Sequence, residues 1–223
     1  MQRIAVLASG GGSNLQALLA HLDALGSAAP ARVSLVVSDR AQAHALARAR
    51  SRDIPTAYLP KSSGDDALER ALDEAQADLV VLAGYLRLIP LRVVQRWRGR
   101  VINIHPALLP AFGGHGMYGH HVHEAVIAAG ARVTGATVHF VDEHFDRGAI
   151  IAQWPVPVHV DDTADTLAAR VLQVEHRIYP WCVAAIARGD VRLGDDGLAH
   201  GALPYDFPRF GVEGPRHPFV PDE

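Results

Sequence analysis

Ile4-Ala5-Val6-Leu7-Ala8-Ser9-Gly10-Gly11-Gly12-Ser13-Asn14-Leu15 is the stretch that decides the fold. Five apolar residues run into three glycines, and Leu15, Leu18, Leu19 and Leu22 follow at helical spacing. A short continuous apolar run reads as a strand covered on both faces, the kind found in parallel sheets. Glycines let the backbone turn tightly and approach a ligand closely. The start of the following helix offers free N–H groups and a partial positive charge, which suits a phosphate. The Ser13 hydroxyl and the Asn14 amide can add hydrogen bonds. The same residues also read as a plain strand-to-helix turn with Ser13 as N-cap. No Gly-Lys-Ser/Thr follows, and Leu15 takes the last position of a Gly-x-Gly-x-x-Gly, so neither common nucleotide fingerprint is complete.

The pattern repeats outward from this unit. Residues 33–37 and 56–59 read as strands, 42–52 as a helix and 65–75 as a helix with acidic residues in its first turn, which the helix dipole favours. Residues 79–83 and 101–105 read as two further strands. After a Gly- and His-rich loop at 112–121 comes a helix to about Ala129. Residues 136–141 and 150–158 then resemble an antiparallel pair, 161–188 a long helix, and 189–223 a small hairpin with a Pro-rich tail. Alternating strands and helices predict an α/β fold: an open, mostly parallel Rossmann-like sheet with helices on both faces and an antiparallel C-terminal portion. No repeat or linker divides the chain. A single domain over 1–223 is expected, with a phosphate-binding half at 1–100, a catalytic half at 101–188 and the hairpin and tail at 189–223.

Composition narrows the class. The 223 residues are 49% hydrophobic and 20% charged, enough for a sizeable core and against wholesale disorder. The formal net charge is -3, without the basic excess of a nucleic-acid binder. A small-molecule substrate is expected instead. No apolar run reaches the ~18 residues of a membrane span. The single cysteine, Cys182, lies beside Trp181 and reads as core, and a reducing cytoplasm is the simplest location.

The strand at 101–105 ends in Asn103-Ile104-His105-Pro106. Ligands of open α/β sheets gather at the carboxyl ends of strands. Asn103 and His105 alternate with an apolar residue, so both project to one side. An amide donor beside an imidazole can stabilise an oxyanion. Both could equally satisfy a buried turn. Asp146 lies in a polar turn between two strands, where a solvated carboxylate is common. Near an imidazole it would favour the charged ring and could relay a proton. His115, His120, His121 and His123 raise the question of a metal, but no Cys and no clear carboxylate set accompany them, so no metal is expected.

At these residues the sequence resembles the folate-dependent formyltransferases, and among them the phosphoribosylglycinamide formyltransferase family. The resemblance runs through most of the chain. It rests on Ser9 to Ala17, Val80 to Arg87, Asn103-Ile104-His105-Pro106-Ala107-Leu108-Leu109-Pro110, Gly135 to Val141 and Asp146-Arg147-Gly148. It implies formyl transfer from 10-formyltetrahydrofolate to the amine of 5-phosphoribosylglycinamide, by direct amine attack. Gly12, Ser13 and Asn14 would hold the acceptor phosphate, and Glu175 would help bind the acceptor. Asn103, His105 and Asp146 would be catalytic, with Asp146 keeping His105 protonated. Leu86, Arg87, Leu88, Ile89, Asn103, Val141 and Asp146 would contact the folate, and the turn from Val141 to Asp146 would close over its ring. The protein is expected to act as a monomer or homodimer.

Three departures from the family pattern stand out. The loop from Phe112 to His120 is longer than the commoner form, no Arg stands around residues 63–66, and Ala149 replaces a frequent Pro. Formyltetrahydrofolate hydrolases usually carry a further N-terminal domain, for which a first strand beginning at Arg3 leaves no room. Methionyl-tRNA formyltransferases usually add a C-terminal domain. A non-catalytic nucleotide-binding protein on the same fold is the alternative from another class.

Overall fold

Strand β1 (Gln2–Leu7) leads into helix α1 (Ser13–Leu25) in the computed structural model, which describes residues 1–64 and 66–202. The first helical position is Ser13. Gly12 takes the N-cap in the left-handed region, at φ 71°, with no side-chain cap. The glycine is needed twice here, because a Cβ on it would also lie 2.8 Å from the Cα of Ala45. Ser13 is therefore not the N-cap, and its hydroxyl is not committed to that bond.

The chain continues through β2 (Ala31–Ser38), α2 (His44–Arg50), β3 (Thr56–Tyr58), α3 (Asp66–Glu74), β4 (Leu79–Leu82), α4 (Leu91–Arg96) and β5 (Val101–His105). It then forms α5 (His120–Ala128), β6 (Val133–Phe140), β7 (Ile150–Pro157), α6 (Ala164–Arg188), β8 (Val191–Leu193) and β9 (Ala199–Gly201). Seven strands form one sheet in the order β3-β2-β1-β4-β5-β6-β7. β1 to β5 pair in parallel, and β6 runs antiparallel to both β5 and β7. β8 and β9 make a separate antiparallel pair. The expected tail from 203 onward and Asp65 lie outside the described residues.

Period-two alternation divides the core. Ile4 and Val6 face one side with Leu15 and Leu18 of α1 and Ile178 and Val183 of α6. Ala5 and Leu7 face the other with Leu72 of α3 and Val93 of α4. Helices on both faces follow from strands such as β4 (Leu79–Leu82), which is buried at every position. The stretch from 84 to 100 carries no clear period, yet α4 forms there. It is short, begins after Pro90 and is held by Val93, Val94 and Trp97 against the second face of the sheet, so tertiary packing stabilises it.

α6 is the longest element, 25 residues from a Thr163–Thr166 capping box to a left-handed Gly189. Its Tyr179 is fully buried and donates its hydroxyl hydrogen between the carbonyls of Leu82 and Ile102, at 2.8 and 3.1 Å. The Ile102 carbonyl belongs to the peptide that precedes Asn103. α6 thus ties the end of β4 to β5 just before Asn103.

Candidate active site

Asn103 and His105 occupy alternate positions of β5. Their neighbours Ile102 and Ile104 enter the core with Val138 and Phe140 of β6, so the two polar residues face the opposite side. The switch from parallel to antiparallel pairing sets Asn103 opposite His139 and His105 opposite Thr137. His139 Nδ1 lies 2.8 Å from the Phe140 carbonyl and so carries the proton, which leaves Nε2 to accept from Asn103 Nδ2 at 3.1 Å. One Nδ2 hydrogen of Asn103 is used in this way, and the second has no partner among the described residues.

The turn after β5 is pinned from beneath. Thr137 Oγ1 donates to the Ala107 carbonyl and accepts from the Leu109 amide, and Gln153 Nε2 donates to the Leu109 carbonyl at 2.7 Å. Asp146 comes from the β6–β7 turn, held in the left-handed region at φ 55°. Its Oδ2 lies 3.5 Å from His105 Nδ1, and its Oδ1 lies 3.7 Å from His139 Nε2. The three residues separated by up to 43 positions in sequence are therefore one group. His139 is a fourth member that sequence reasoning did not single out. Its parity with Asn103 across β5 and β6 was the available signal.

These residues line a cavity of about 670 Å³ at the carboxyl ends of β1, β4 and β5. That volume is in the range of small-ligand sites. Leu86, Arg87, Leu88, Ile89 and Val141 lie along it, with Phe145. Its polar lining includes Asn14, His120, His123, Asp165 and Glu175. Glu175 Oε2 accepts from Asn14 Nδ2 at 2.7 Å, and burial raises the Glu175 pKa against that bond. Asn14 Oδ1 is buried without a partner among the described residues, so it can accept a hydrogen from a ligand. Gly12 and Ser13 stand immediately before Asn14 and are not among the residues lining this cavity. Beside them Arg48, which sequence reasoning passed over, donates Nε to the Gly11 carbonyl at 2.8 Å and brings a cation to the glycine turn. Among the described residues no group of three or more His, Cys, Asp or Glu could hold a metal ion.

Burial dominates the electrostatics. It holds the His105 pKa below its ordinary 6.5 against the Asp146 carboxylate and the Phe112 carbonyl, both of which favour the charged ring. The sequence reading has Asp146 keeping His105 charged; burial of a ring only 3% exposed acts against this and outweighs the pull of Asp146 at 3.5 Å. His139 is lowered by burial in the same way. His123 is pushed down to about 4 by burial, then by His120 and His105, and its Nδ1 has no partner.

Acid sensitivity follows. His123 takes up a proton in the unfolded chain below pH 6.5 but in the fold only near 4. Its contribution is complete above 6.5 and is lost as the pH falls toward 4, amounting to at most about 3 kcal/mol. Tm measured from pH 7.5 to 4.5 should fall, and His123→Gln should flatten the slope. An identical slope in both proteins would contradict this origin.

Fold and geometry together define an α/β enzyme-type site suited to acyl-group transfer. The formyl transferase family matches residues 2–183. The chain belongs to the formyl transferase family. It is 41% identical over 203 residues to the chloroplastic phosphoribosylglycinamide formyltransferase of Vigna unguiculata, covering 88% of this chain and 64% of that relative's length. It is 39% identical to the Haemophilus influenzae phosphoribosylglycinamide formyltransferase, covering 88% of this chain and 92% of the relative. The phosphoribosylglycinamide formyltransferase of Anaplasma phagocytophilum superimposes with a TM-score of 0.82 at 38% identity, over 90% of this chain and 93% of that one. No helix among the described residues is long and apolar enough to cross a membrane.

Proposed function

We propose that this protein transfers a formyl group from 10-formyltetrahydrofolate to the amine of 5-phosphoribosylglycinamide, in the cytoplasm. The observation that carries the reading is the meeting of Asn103, His105 and Asp146 in one cavity that also contains the Asn14–Glu175 pair. The orphaned Asn14 acceptor and the apolar wall from Leu86 to Ile89 fit a polar acceptor and a flat ring respectively. Gly12, Ser13 and Asn14 hold the acceptor phosphate, and Glu175 contacts the acceptor. Leu86, Arg87, Leu88, Ile89 and Val141 hold the folate, which supplies the formyl carbon on its N10.

The residues then act in order. The free hydrogen of Asn103 Nδ2 is donated to the formyl oxygen as the amine attacks and charge gathers there. His105 Nδ1 takes the proton released by the amine and passes it to the departing nitrogen. Asp146 stabilises the imidazolium that exists between those two transfers. The cavity supplies proximity, which is worth several orders of magnitude in such a reaction.

Absorbance of 10-formyltetrahydrofolate, followed with purified protein in the presence and absence of glycinamide ribonucleotide, tests the assignment. Loss that requires the acceptor is the expected result. Loss without acceptor would make the protein a hydrolase, and no loss from folded protein would favour a non-catalytic binding role.

A further inference from the structure

A third backbone segment holds the His105–Asp146 pair together. His105 Nε2 lies 2.8 Å from the carbonyl of Phe112, and the Gly114 amide donates to Asp146 Oδ2 at 2.9 Å. Phe112 has φ 55°, a region that side-chain-bearing residues avoid, and this turn aims its carbonyl at the imidazole. Gly113, between them, is closely packed against two side chains. A Cβ there would lie 2.5 Å from Leu109 Cδ2 and 3.2 Å from Asp146 Cβ. Leu109 is buried, so its Cδ2 must turn aside within a packed interior, and Asp146 Cβ, 3.2 Å away, is the neighbour an added methyl would press on.

We propose that Phe112, Gly113 and Gly114 are positioning residues for proton transfer: the Phe112 carbonyl fixes His105 as the Nε2–H tautomer, and the Gly114 amide holds Asp146 opposite Nδ1. A carbonyl oxygen can only accept, so the ring nitrogen facing it carries the hydrogen. Nδ1 is left with its lone pair, which makes it the atom that exchanges a proton with substrate. Once Nδ1 is protonated, both ring nitrogens face acceptors, and the imidazolium is held at each end. The other titratable groups around this ring are His123 and His139, both kept neutral near pH 7 by burial.

The same segment begins the loop that leads to α5. Gly114, Gly116 and Gly119 all have positive φ, and His115 rests edge-on against Phe145, ring centroids 5.9 Å apart. The carbonyl and the amide thus belong to one short segment.

This inference rests on His105 and Asp146 being the proton-moving pair, and its test is read on protein without substrate. Nitrogen-15 imidazole spectra, assigned by the signals lost in His105→Ala, should show His105 as Nε2–H at pH 7.5. In Gly113→Ala the tautomers should mix and the titration midpoint should move to lower pH, because the imidazolium loses an acceptor. The kcat should fall about 10- to 100-fold with KM changed less than about threefold, and the acid limb of the pH–rate profile should follow the midpoint. Phe112→Val, whose branched Cβ disfavours positive φ, should behave alike and serves if Gly113→Ala does not fold. A wild-type ring in the Nδ1–H form, or variants with wild-type spectra and kcat, would overturn the clamp. A wild-type protein with the Nε2–H ring and no formyl transfer would remove the proposed reaction and leave the clamp standing.

Discussion

Asn103→Ala is expected to lower kcat by about 10²- to 10³-fold, the usual cost of removing one oxyanion donor. The side chain that disappears has two Nδ2 hydrogens, one given to His139 Nε2 at 3.1 Å and the other free in the cavity. In the proposed reaction this hydrogen interacts more strongly as charge develops on the formyl oxygen, so its loss should fall on kcat more than on KM. A second effect is structural. His139, 2% exposed, is left with an unpartnered Nε2, which costs on the order of 1–3 kcal/mol of stability. Steady-state kinetics and urea unfolding on one preparation separate the two. His105→Ala should give a kcat loss of the same size through proton transfer. Wild-type turnover in either folded variant would remove that residue from the mechanism.

Gly148→Ala is expected to damage both stability and turnover. A Cβ at this position would lie 1.9 Å from the Phe140 carbonyl oxygen and 2.8 Å from its carbon, far inside contact distance with backbone that cannot rotate away. Phe140 closes β6 and its amide donates to the Ala149 carbonyl at 2.9 Å, so the turn must either swing outward or break that pairing. Either movement carries Asp146 away from His105. A loss of about 3 kcal/mol is expected, at the upper end for a single substitution, with kcat reduced at least about tenfold. Urea unfolding and kcat at a temperature where the variant remains folded check this. Unchanged values for both would mean that the turn yields without moving Asp146.

The strand-and-helix framework was legible in sequence wherever burial on one or both faces imposes a period. β5 was placed at its observed bounds, and β1, β2, β4 and α6 within a few residues, because their apolar runs and caps are local signals. α4 was not legible, since a six-residue helix after Pro90 owes its existence to the sheet it packs on. The Gly- and His-rich loop was expected at 112–121, whereas α5 begins at His120. The site was legible as separate motifs. The Asn-x-His alternation and the Asp-Arg-Gly turn could be named, along with the residues that the family resemblance implies.

Sequence alone determined the kinds of chemistry available here: amide, imidazole and carboxylate at the ends of strands, and glycines where the backbone must turn. Those are properties of residue type and local spacing. Tertiary structure alone decided which groups meet and in what state. The antiparallel arrival of β6 put His139 against Asn103, and the β6–β7 turn brought Asp146 within 3.5 Å of His105. The loop after β5 chose which ring nitrogen holds the hydrogen. Burial then pushed the His105 pKa down despite its carboxylate neighbour. Hydration is lost only when distant segments close over a ring, and no spacing along the chain records that loss.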